Sequence, residues 1–171
     1  MNVKLEILQK SDEGQFIKDN QYAFKYGAEQ YFNDQEMSEQ FEEEGEIISK
    51  NTIFSSIHRK GSIAYRILLD EKPVGGIIIN LNRNVGDLEI FFVNPDVHSK
   101  GIGQETWKLV EKLHSNIKIW ETVTPTFEKR NIHFYVNKLK FHIVEYYNEY
   151  YHDKDCPEDM LEMYKFQKNI A

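Results

Sequence analysis

The chain predicts a layered α/β or α+β domain, and two stretches of sequence carry that reading. Between residues 62 and 93 three apolar runs, Ser62 to Leu69, Val74 to Leu81 and Val85 to Val93, are separated only by Asp70-Glu71-Lys72-Pro73 and Asn82-Arg83-Asn84. Asn tolerates positive φ and Pro fixes φ at about −65°, so both separators read as turns and the three runs as an antiparallel meander. The third run then passes through Asn94-Pro95 and two glycines, Gly101 and Gly103, into the amphipathic run Gln104 to Leu113. A strand that feeds a helix through a tight turn puts a helical layer on the sheet. A length of 171 residues suits one domain, 1–171, with a full core.

The remaining elements follow from the N-terminus. Val3 to Leu8 alternates and predicts a strand. Ser11-Asp12-Glu13-Gly14 is a helix start, with Phe16, Ile17, Tyr22 and Phe24 supplying apolar contacts. Glu29 to Lys50 is acidic with helical bias, and its Glu42-Glu43-Glu44 run reads as a solvated face or as an acidic lip that attracts an amine. After the glycine-containing turn and its helix, Ile117 to Val123 predicts a strand. Pro125 breaks the chain before a helix from about Glu128 to Leu139. Phe141 to Asn148 and the alternating Leu161 to Phe166 complete the sheet.

Composition excludes several classes. The net charge of −7 argues against binding nucleic acid, which needs a basic surface; it is compatible with a cationic substrate. Cys156 is the single cysteine, in the stretch Asp153-Lys154-Asp155-Cys156-Pro157, which reads as a loop. It can form no internal disulfide, which suits a reducing cytoplasm. No apolar run approaches the ~18 residues of a membrane span, and the first residues are not a signal peptide, so no membrane partner is expected. Six histidines lack metal-ligand spacing, and no metal is expected. His133 and His142 read as structural or surface residues.

The turn at His98-Ser99-Lys100-Gly101-Ile102-Gly103-Gln104 is the strongest chemical signal. Glycines let a ligand approach the backbone, and the first amides of a helix are unpaired and partly positive, so the turn suits an anion, above all a phosphate. A Walker loop would need Gly-Lys-Ser/Thr, but Gly103 is followed by Gln104-Glu105. A dinucleotide fingerprint would need a third glycine where Thr106 stands. A small nucleotide-binding domain is disfavoured on both counts. The acyl-CoA pyrophosphate loop, Gln/Arg-x-x-Gly-x-Gly/Ala, fits everywhere except its first position, His98.

About 30 residues on, Asn131-Ile132-His133-Phe134-Tyr135-Val136-Asn137-Lys138-Leu139-Lys140-Phe141 resembles the second signature of the GNAT N-acetyltransferase superfamily, with Lys140 in place of the usual Gly. Order and separation of the two motifs agree with that family over roughly residues 60 to 145. The resemblance implies the GNAT fold: a central mixed, mostly antiparallel sheet of about seven strands, with helices on both faces. It implies acetyl-CoA as co-substrate, held by His98, Ser99, Lys100, Gly101, Ile102, Gly103 and Gln104. Asn131 would bond the pantetheine arm, and Phe134 would serve as cofactor contact or core. It also implies a splayed β-bulge near Phe91, Phe92 and Val93, whose freed amide, of Val93 or Phe92, would bind the thioester carbonyl.

Acetyl transfer to an amine needs a base, because an ammonium has no lone pair, together with an oxyanion site and an acid for the thiolate. Glu89 stands in the apolar run Leu88-Glu89-Ile90-Phe91-Phe92-Val93, where burial can raise a carboxylate pKa toward neutrality. Asp87 is the reserve, and period two puts Asp87, Glu89 and Phe91 on one face. Tyr135 matches the family tyrosine that protonates the thiolate. It lies one helical turn from Asn131. Trp120 and Glu121 would line the substrate pocket, though Trp120 fits a core equally well. The reading is an N-acetyltransferase acting on a small-molecule or peptide amine by direct attack, as a monomer or homodimer. The rival is a non-catalytic acyl-CoA-binding module of the same fold.

Overall fold

The computed structural model describes residues 1–43, 45–98, 100–152 and 162–171. Glu44, Ser99, Leu161 and the Cys156 loop therefore lie outside the described residues. Seven strands form one sheet: β1 (Val3–Ile7), β2 (Ser62–Leu69), β3 (Lys72–Asn82), β4 (Val85–Val93), β5 (Ile119–Pro125), β6 (His142–Tyr147) and β7 (Met163–Asn169). Their order across the sheet is β1-β2-β3-β4-β5-β7-β6. Every pairing is antiparallel except β4 with β5.

The helices are α1 (Glu13–Glu29), α2 (Asp34–Glu39), α3 (Lys50–His58), α4 (Ile102–Leu113) and α5 (Lys129–His133), the last running into a π-turn over Phe134–Lys138. Two buried clusters show that they cover both faces. On one, Phe16, Ile17 and Ile53 of α1 and α3 pack on Ile78, Ile90 and Phe92. On the other, Trp107 and Val110 of α4 and Tyr135 and Leu139 of the α5 segment pack on Ile77, Ile79, Leu88 and Trp120.

The acidic stretch after α1 is not the continuous helix its composition suggested. Asn33 accepts from Glu36 N–H at 2.8 Å and Ser49 from Thr52 N–H at 3.0 Å, so two N-caps start two separate helices. Gly45, at φ 76°, turns the chain between them. Capping signals inside a charge run were present in the sequence and outweighed its helical bias.

Helix α1 is tied to the sheet by Arg66 of β2. Its guanidinium donates to Asp12 at 2.7 Å and Asp19 at 2.8 Å, lies 5.4 Å from the Phe16 ring centroid, and is almost fully buried. Asp12, expected only to help start the helix, makes no side-chain cap and spends its carboxylate on Arg66. From that anchor α1 runs toward the segment after β4, where Tyr26 meets His98 with ring centroids 6.1 Å apart. The chain beyond α1 reaches α5: Tyr31 Oη accepts from the Arg130 N–H at 2.9 Å, and Phe32 packs on Phe127 at 4.6 Å. The N-terminal helical segment thus spans from β3–β4 to the β5–α5 corner. Among the described residues no helix is long and apolar enough to cross a membrane.

Candidate active site

Strands β4 and β5 stay paired only from Val85 to Asp87, opposite Ile119 to Glu121, and then diverge. Thr122 Oγ1 donates to the Leu88 carbonyl at 2.9 Å across the apex of the split. Beyond it β4 keeps β3 on one side and has an open edge on the other.

The bulge falls at Glu89, not at Phe91 to Val93. Ile78 pairs with Ile90 and Ile79 with Leu88, so Glu89 is an extra residue opposite the Ile78–Ile79 step. This corrects the simple alternation. Glu89 and Asp87 remain on the α1–α3 side, while Phe91 turns to the α4–α5 side, with its ring 5.8 Å from that of Phe134. The extra residue shifts the side-chain phase by one, which period two could not foresee.

The two amides at the end of β4 point in opposite directions. Asn94 N–H donates to Val74 of β3 at 2.7 Å. Antiparallel pairing points alternate residues the same way, so Phe92 N–H also faces β3 while Val93 N–H faces the split. Of the two amides, Val93 N–H is the one directed into the split. The Phe92 side chain is buried on the α1 side, edge-on to Phe16 at 5.1 Å.

Both glycines of the turn before α4 are required by the fold, for two different reasons. Gly101 has φ 77° and occupies the N-cap, a conformation that costs an L-residue roughly 1–2 kcal/mol. Gly103 lets α5 approach, since a Cβ there would stand 2.8 Å from Phe134 Cζ. Ile102 is 2% exposed within the apolar cluster of Ile67 and Val74, so only its backbone is available to a ligand. Lys100 is exposed and Gln104 half-buried beside the helix start.

His98 departs from its expected role. Its Nε2 lies 2.9 Å from the Val93 carbonyl, and a carbonyl only accepts, so Nε2 carries the proton. Burial lowers the ring's pKa, the Val93 bond partly restores it, and nearby Arg130 lowers it again. A histidine clamped on the end of β4 is not a free phosphate ligand.

Tyr135 sits in the π-turn, closed by Leu139 N–H to Phe134 O at 2.9 Å; such turns are frequent at functional sites. Its ring packs on Phe141 and Phe166. Its hydroxyl lies near Thr122, at the apex of the split; burial and then Glu128 raise its pKa, and Thr122 pulls it back in part. The hydroxyl therefore keeps its proton at neutral pH. Asn131 donates its amide N–H to the Glu128 carboxylate, so the two act as one polar unit.

Glu128 is the residue that sequence reasoning missed. A carboxylate before a helix reads as an N-cap, yet Glu128 makes no side-chain cap. Burial pushes its pKa up and the Asn131 bond pulls it back. No signal short of the fold would have separated it from an ordinary cap.

On the α1–α3 side lie the carboxylates. Glu89 accepts from Arg59 Nη1 at 2.7 Å and from the Ser56 hydroxyl. Glu121 pairs with Lys165 at 2.7 Å. Asp87 is exposed and, among the described residues, takes part in no hydrogen bond or ion pair. Even so, its pKa is raised, first by local desolvation and then by Glu121 and Glu89. Trp120 is corrected to the core. It is 0% exposed, lies against Gly86 and Trp107, and faces away from its neighbour Glu121.

Comparison with known proteins agrees with this geometry. The model of the acetyltransferase (GNAT) family matches residues 22–141. The chain is 44% identical over 151 residues to the uncharacterized protein YrkN of Bacillus subtilis, covering 87% of this chain and 78% of that one. It superposes on the PaiA N-acetyltransferase of Thermoplasma acidophilum, solved with coenzyme A, at TM-score 0.71 and 16% identity over 99% of this chain and 100% of that one. It does so on the ribosomal-protein-S18-alanine N-acetyltransferase of Escherichia coli at 0.69 and 16%, over 99% and 95%. A split between parallel β4 and β5, a glycine turn opening α4 and a family match over most of the sequence together place this chain in the GNAT acetyltransferase family.

Proposed function

We propose that the protein transfers the acetyl group of acetyl-CoA to a primary amine of a small molecule or peptide, by direct attack in a ternary complex. The observation that carries this reading is the β4–β5 split, which has the Val93 N–H directed into it and the Tyr135–Thr122 pair at its apex. The turn at Gly101 receives the phosphates, and the thioester enters the split from the α4–α5 side. The amine arrives from the α1–α3 side, past Asp87, Glu89 and Glu121. Its lone pair forms the new C–N bond, Val93 N–H stabilises the oxyanion, and the C–S bond breaks as Tyr135 gives the thiolate a proton. The proton lost from nitrogen passes to the carboxylate side.

Within that group Asp87 is the better base, because both Glu89 oxygens are engaged by Arg59 and Ser56. The occupation of Glu89 is what favours a non-catalytic acyl-CoA-binding module. Turnover separates the two readings. The wild-type protein is expected to release free thiol from acetyl-CoA in the presence of one or more members of an amine panel of small amines, polyamines and peptides. CoA binding without turnover on any of them would establish the binding module instead.

Asp87→Asn tests the base through two readouts. It is expected to lower kcat/KM by roughly 10² or more. It should also raise the melting temperature at neutral pH. The folded state raises the Asp87 pKa above its unfolded value of about 3.9, so ionisation penalises the folded state. The penalty is complete above the folded pKa and absent below the unfolded one. The gain from Asn should therefore vanish in acid, below about pH 4. Unchanged kcat/KM would return the role to Glu89.

A further inference from the structure

The loop of the proposed acetyl-CoA site lacks the cation that its first position would supply. His98 is turned inward onto the Val93 carbonyl, its ring edge-on to Tyr26, and burial favours its neutral form. Another cation is carried on the neighbouring helix. Arg130 is exposed in the first turn of α5, and its charge acts on His98. Its backbone is fixed by the bond to Tyr31 Oη, and α5 is held against the loop by Phe134 under Gly103. Among the described residues Arg130 enters no ion pair. A guanidinium offers a planar fork for phosphate oxygens that a neutral imidazole cannot.

We infer that Arg130 is a cationic ligand of the CoA pyrophosphate, supplying from α5, alongside Lys100 of the turn, the basic side chain that the turn's first position lacks. This rests on the acetyl-CoA reading above. It also assigns His98 a positioning role: by holding the Val93 carbonyl it fixes the end of β4, whose N–H faces the thioester.

The experiment is equilibrium binding of CoA, dephospho-CoA (no 3′-phosphate) and acetyl-pantetheine (no phosphate) to the full chain. Wild type, Arg130→Gln and Arg130→Lys are compared across a salt series, with melting temperatures as a check on folding. Arg130→Gln is expected to bind CoA and dephospho-CoA about tenfold or more weaker, by the same factor, with a shallower salt dependence. Acetyl-pantetheine binding should be unchanged, and Arg130→Lys should lie between. Equal affinity of wild type and Arg130→Gln for CoA would overturn the inference. So would a loss confined to CoA, which would move the arginine to the 3′-phosphate. Failure of the wild type to bind CoA at all would instead overturn the acetyl-CoA reading itself.

Discussion

Replacing Tyr135 by Phe is expected to lower kcat by about 10² to 10⁴, the usual contribution of a positioned general acid, or roughly 3 to 5 kcal/mol of barrier. The change removes one oxygen from a ring that keeps its packing against Phe141 and Phe166. Thr122 still donates to the Leu88 carbonyl, so the apex of the split stays closed. KM for acetyl-CoA should hold while kcat falls, the mark of an interaction made in the transition state. A thioester with a more acidic leaving thiol should lose less, because it needs less help from a proton. Steady-state kinetics with two such donors decides it. Full activity on every acceptor would reduce Tyr135 to a packing residue.

The second large effect is on stability. Removing both Asp12 and Asp19 as Ala leaves Arg66 charged and buried, with only the Gly75 carbonyl, 3.4 Å away, near it. Breaking a buried pair from one side costs about 3–5 kcal/mol. The aspartates are each 36% exposed, so solvent already screens part of the attraction and the lower end applies. For a chain of this size about 3 kcal/mol corresponds to roughly 6–12 °C in melting temperature. Adding Arg66→Met should recover much of it, since the charge without a partner is then gone. A triple variant less stable than the double would show that the guanidinium stabilises by its packing on Phe16.

The parts of the site legible in the sequence were those fixed by local backbone chemistry. Gly101 and Gly103 announced the tight turn that opens α4, and the spacing of Asn131 and Tyr135 announced the second motif. The three-strand meander was explicit in its turns. What stayed hidden depended on a phase shift or on distant partners. The bulge at Glu89 has no residue signature, so the face of Phe91 was misassigned. The pairing of Glu89 with Arg59 joins residues 30 apart in sequence, and nothing in an apolar run reveals that its carboxylate is already engaged. His98 matched a motif position by count, yet its ring turned to a strand end. Trp120 was undecided between pocket and core because β5 alternates between the two, and only pairing with β4 settles which is which.

The bulge also has a consequence for how such a strand can change over evolutionary time. Without Glu89, the run from Val85 to Val93 alternates cleanly between the two sides of the sheet, with Leu88 opposite Ile79 and Ile90 opposite Ile78 in ordinary succession. Glu89 is therefore additional to the ladder rather than one of its rungs. The bulge carries a carboxylate that takes no packing position, and Ile90 and Phe92 meet α1 as they would in an unbroken ladder. Chemistry carried on an insertion can be altered or lost while the core around it stays intact.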